Sequence, residues 1–107
     1  MGDVQVAQGD LAGALKSYRD DLAIADRLAQ SDHGNAGWQR DLAVSHAKIA
    51  DALAWMGNNA EALEALRRGH AIMVRLTALS PDNAQWKRDL DWFEARIAEL
   101  SDRKSVV

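Results

Sequence analysis

Apolar residues return along this chain at intervals of three and four, the spacing that keeps one face of a helix toward a core. Leu11, Leu15, Tyr18, Leu22 and Leu28 make one such stripe, and Trp38, Leu42, Ile49, Leu53 and Met56 make the next. Leu63, Leu66, Met73 and Leu76 form a third, and Trp86, Leu90, Phe93, Ile97 and Leu100 a fourth. Charged positions such as Asp20-Asp21, Asp26, Arg67-Arg68 and Lys87-Arg88 fall between the stripes, where helix faces meet water. Punctuation separates the stripes. Asn35 and Asn83 are placed to cap helix starts, Gly57-Asn58-Asn59 to end the second helix, and Ser80-Pro81-Asp82 to end the third. The pattern predicts four substantial helices after a short N-terminal half-helix that enters at Gly2. Connections of three to six residues make neighbouring helices antiparallel.

The pattern also repeats. "GNAGWQRDLA" at 34–43 is echoed by "DNAQWKRDLD" at 82–91, so that Trp38 and Trp86 stand 48 residues apart. Sliding the chain by 48 aligns Gly9 with Gly57, Ala14-Leu15 with Ala62-Leu63, Ala23-Ile24 with Ala71-Ile72 and Ile49-Ala50 with Ile97-Ala98. Between Gly9 and Ala50, 18 of 42 positions match without a gap, where chance in so alanine-rich a chain gives roughly three or four. The echo is therefore an architectural period. The repeated octapeptide is the cap and first turns of two equivalent helices, with Trp38 and Trp86 as wedges against the preceding helix. A hairpin cannot bury its stripe alone, so the period predicts hairpins stacked side by side.

These residues resemble the tetratricopeptide repeat. That family's pattern is an aromatic, Leu-Gly and Tyr on a first helix, then Ala, a second aromatic and a terminal Pro around a second helix. Ile49-Ala50 stands for the Leu-Gly, Leu53 for the Tyr, Gly57 for the turn glycine and Ala62 for the Ala. Leu66, or Tyr18 one period earlier, stands for the second aromatic, Pro81 for the terminal proline and Gly2 for the small residue of a truncated first unit. The family's unit is about 34 residues, so this period is longer by about two turns in each helix. His46 and Glu94 occupy the family's aromatic position. The chain is similar to the long-helix repeats of bacterial multidomain proteins. The resemblance implies an all-α, tetratricopeptide-like solenoid of about two repeats in one domain over 1–100, with units at about 1–34, 35–82 and a partial one at 83–100, and a polar tail at 101–107. It also implies a scaffold for protein–protein interaction rather than an enzyme.

Composition narrows the classes of partner. A net charge of −3 gives no long-range attraction to nucleic acid or anionic lipid, and a chain without cysteine has neither disulfides nor thiolate chemistry. Charge interrupts every apolar run, and "MGDVQVAQGD" lacks the basic start of a signal peptide, so a cytoplasmic location is expected. No Gly-rich phosphate loop, H-E-x-x-H or Ca²⁺-loop pattern calls for a cofactor. Ser45-His46 cannot make a triad, because adjacent helical residues diverge. One pair stands apart: folding the hairpin about Asn58 sets His46 opposite His70, the arrangement a weak metal site or a pH-sensitive pair needs.

In the resembling family the first helices line a peptide-binding groove. Here the positions off the buried stripe and toward that groove are Val44, Ala47, Asp51, Ala54 and Trp55, then Trp92, Ala95 and Glu99, with Asp3 and Val6 from the truncated unit. Small residues admit a ligand backbone, tryptophan anchors it, and carboxylates favour a Lys- or Arg-bearing peptide. An alternative is self-association: the first and last helices each lack a neighbour, and the open repeat ends would join into a homo-oligomer.

Overall fold

A computed structural model describes the backbone of residues 4–106 and the side chains of residues 10–102. These residues form α1 (Val4–Ser31), α2 (Ala36–Trp55), α3 (Asn59–Leu79) and α4 (Ala84–Val106), with no strand among them. Each helix packs on its neighbours in sequence, α1 on α2, α2 on α3 and α3 on α4. The connections at 32–35, 56–58 and 80–83 are so short that the chain reverses at each.

The caps explain where the helices begin. Asn35 accepts a hydrogen bond from the Trp38 backbone N–H at 3.1 Å, and Asn83 accepts one from Trp86 at 3.0 Å. The two copies of Asn-Ala-x-Trp therefore do the same work, satisfying an N–H that the first turn leaves without a partner. At the other end of α2, Gly57 adopts φ +84°, a left-handed conformation favoured by glycine. The Gly57 N–H then donates to Ala54 O at 3.0 Å and the Asn58 N–H to Leu53 O at 2.8 Å, closing the last carbonyls of α2.

Two boundaries differ from the sequence expectation. There is no separate half-helix: α1 runs from Val4 through Gly9 without a break. Gly9 matches Gly57 but is followed by Asp10-Leu11 instead of Asn58-Asn59, and keeping one glycine inside a helix costs only about 1 kcal/mol. At the far end α4 continues to Val106 instead of stopping near Leu100, because "SDRKSV" holds neither Gly nor Pro to end it. The side chains of Asp3 and Val6 lie outside the described residues.

Packing centres on α3, where Leu63, Leu66 and Met73 are fully buried, joined by Leu100 from α4. Gly69 sets how closely its neighbours approach. A Cβ at this position would collide with the Phe93 ring and stand 3.2 Å from the Ala43 carbonyl, so the missing side chain is what lets α3 nest between α2 and α4. Phe93 is buried in consequence, and Trp92 meets it edge to face with centroids 5.2 Å apart. Trp38 and Trp86 are half-buried against this core.

Ion pairs also join helices two apart in sequence. Arg40 on α2 bonds Asp89 on α4 at 2.7 Å, and Arg96 on α4 bonds Asp51 on α2 at 3.1 Å. Across α1 and α3 the corresponding link is Arg19 with Glu61 at 3.7 Å, between two exposed side chains.

Candidate binding site

Residues 43, 44, 47, 48 and 51 face α4 from α2, and Asp89, Trp92 and Phe93 face back. Between them lies a hollow of about 180 Å³, floored by Met73. Its α2 wall is low because Ala43, Val44 and Ala47 are small. Its α4 wall is the Trp92 ring, 39% exposed and fixed by its edge contact with Phe93. The Arg40–Asp89 pair lies toward the N-terminal ends of these helices, and Arg96–Asp51 toward the C-terminal ends. A cavity this size takes one side chain; small-molecule sites run to roughly 300–1,000 Å³.

Of the eight expected groove positions that fall among the described side chains, four meet here: Val44, Ala47, Asp51 and Trp92. The other four do not line the hollow. Ala54 is half-buried against the core, Ala95 is exposed on α4, and Trp55 is 78% exposed at the end of α2. Glu99 is drawn to Arg96, whose Nη1 lies 2.6 Å from it while Nη2 holds Asp51. The guanidinium thus occupies Asp51 and Glu99, the two groove carboxylates among the described side chains. Residues absent from that reading complete the site: Ala43, Lys48, Met73, Asp89 and Phe93.

The larger openings lie on the other side. Between α1 and α3 a cleft of about 490 Å³ is lined by Arg19, Leu22, Asp26, His46, Arg68 and Ile72. It adjoins a second of about 320 Å³ reaching Gln30, His33, Arg75 and Leu79, with Leu42 of α2 in the floor of both.

His46 and His70 do not share a site. His46 is buried facing the α1/α3 cleft, while His70 Nε2 lies 3.3 Å from Glu94 on α4. They stand on α2 and α3 but meet different neighbours, His46 the α1/α3 cleft and His70 the α4 helix. Burial pushes the His46 imidazole below its ordinary 6.5, the Arg68 cation pushes the same way, and Asp26 opposes them more weakly. Among the described residues no group of three or more His, Cys, Asp or Glu is placed to hold a metal ion, and no helix is long and apolar enough to cross a membrane.

No protein-family model, curated protein or solved structure matches the chain.

Proposed function

We propose that the chain is a protein-interaction module of the tetratricopeptide kind, without a catalytic step, in which α1 to α4 stack as a short solenoid. Its inner side would be α2 and α4, tied by two Arg–carboxylate pairs, and its outer side α1 and α3, splayed over wide clefts. This inequality supports the reading, since a curved two-layer stack must close on one side and open on the other.

The observation that carries the proposal is the α2/α4 hollow, in which a half-exposed tryptophan stands over small residues with an apolar floor. A partner protein or peptide would place an apolar side chain there, against Trp92. A Lys or Arg nearby could exchange with Arg96 at Asp51, an exchange between surface ion pairs worth at most about 1 kcal/mol. The apolar anchor therefore selects first and charge second.

The test is a random-peptide display selection on the whole chain, followed by affinity measurement with Trp92→Ala. Aromatic anchors at interface centres contribute about 2 kcal/mol or more, so the selected peptides should bind the variant at least tenfold more weakly. NMR shifts should cluster on Val44, Ala47 and Trp92. Equal affinity for the variant, or shifts on Leu42, His46 and Ile72, would place binding on the α1/α3 side and overturn the assignment.

A further inference from the structure

The two ion pairs that join α2 to α4 follow the 48-residue period, and each of their residues has a period mate of the same charge sign on the other helix. Arg40 of the first "RD" doublet holds Asp89 of the second. Asp41 of the first doublet and Arg88 of the second are both exposed, with no ion pair among the described residues. Arg88 is the period mate of Arg40, and Asp41 that of Asp89. The second pair keeps its charge signs under the same shift, the period mates of Asp51 and Arg96 being Glu99 and Lys48, although Glu99 already accepts from Arg96 at 2.6 Å.

The apolar surface shows the same incompleteness. Ile72 and Leu76 on α3 are 5% and 3% exposed, and Leu42 of α2 lines a cleft with both. Their mates on α1, Ile24 and Leu28, are 55% and 40% exposed. They rim a hollow of about 190 Å³ with Trp38, Asp21 and Asp41. The mate of Leu42 is Leu90, on α4. One helix in this chain thus carries both the arginine and the leucine that α1 and α2 lack, and it lies at the other end.

We propose that copies of this chain associate head to tail, α4 of one against α1 of the next in the way α2 lies against α3. Arg88 then reaches Asp41 of the next copy as Arg40 reaches Asp89, and Leu90 covers Ile24 and Leu28. The contact is heterologous, joining two different surfaces, so it extends the row instead of closing a symmetric dimer. Asp91 stands where α2 has Ala43, so the contact between copies is weaker than the one inside the chain and is seen at high concentration.

Sedimentation across a hundredfold concentration series tests this. The apparent mass should rise, and both Arg88→Asp and Asp41→Arg should remain monomeric with unchanged helicity. Each variant keeps one intact end. A mixture of the two restores an opposite-charge pair at every contact and should therefore extend as an alternating row, and the double variant, with its charges exchanged, should assemble like the parent. A parent chain that stays monomeric throughout would overturn the proposal. So would single variants that still associate, or a mixture that stays monomeric. An unaltered dimer in all variants would identify a symmetric contact instead.

Discussion

The two sides of the molecule are built from the same repeat and differ in how they close. On the α2/α4 side, Arg40 and Arg96 draw the helices together and Phe93 fills the space that Gly69 leaves open. On the α1/α3 side the only ion pair across among the described residues is an exposed one at 3.7 Å, over clefts of about 490 and 320 Å³. Repeating a sequence thus does not repeat an environment. Ile24 and Ile72 are the same residue at the same phase, yet Ile72 is 5% exposed beside Leu42 of α2 and Ile24 is 55% exposed, with no described helix packed over it.

The sharpest way to break the closed side is to remove its plug. Phe93→Ala should cost about 3–5 kcal/mol, the range for a buried aromatic, read as a lower urea midpoint. Leu22→Ala, at a half-buried position lining the open cleft, should cost less than half as much.

Glycine gives a contrast in sign. Gly69→Ala forces a methyl group into the Phe93 ring and should destabilise by about 1–3 kcal/mol, as overpacking does. Gly13→Ala, at a position in α1 with nothing within 4 Å, should instead stabilise by about 0.5–1 kcal/mol through helix propensity. Thermal melts of the two variants decide this, and shifts of the same sign would refute it.

The ion pairs should differ by less. Arg40→Ala removes a charge-assisted bond between side chains 30% and 24% exposed and should cost about 1 kcal/mol. Arg19→Ala, at 54% and 60%, should be near zero.

The smallest effect is on pH dependence. Because burial and Arg68 hold His46 below 6.5 in the folded chain, the unfolded chain binds a proton first as the pH falls. The stability due to neutral His46 is therefore present above 6.5 and is lost as the pH falls from there through the lower folded value. Melting temperatures from pH 7.5 down to 5.0 should fall less in His46→Gln than in the parent.

Much of this was legible in the sequence. Apolar spacing located all four helices, the matched Asn-Ala-x-Trp segments located two caps, and the period showed that helices α2 and α4 are equivalent. The Arg40–Asp89 bond was not legible, although its signal was present. Two "RD" doublets stand 48 apart, and only the spacing of α2 and α4 shows that one doublet's arginine reaches the other's aspartate. The groove was half legible for a similar reason. A helical wheel gives the order of residues around an axis but not its absolute phase, so it could not tell that Trp92 lines the hollow while Trp55 projects from the helix end. The α1/α3 cleft depends on how far two helices splay, which no local pattern encodes.

The unequal spacing can be measured between period mates. Ala23 and Ala71 lie on opposite walls of the open cleft, while Ala47 and Ala95 lie on α2 and α4. The chain has no native cysteine, so Ala→Cys pairs at these positions can be spin-labelled without interference. Dipolar EPR should give a shorter and narrower distance for 47–95 than for 23–71. Equal distances, or a shorter one across α1 and α3, would contradict the tied inner side on which the proposed function rests.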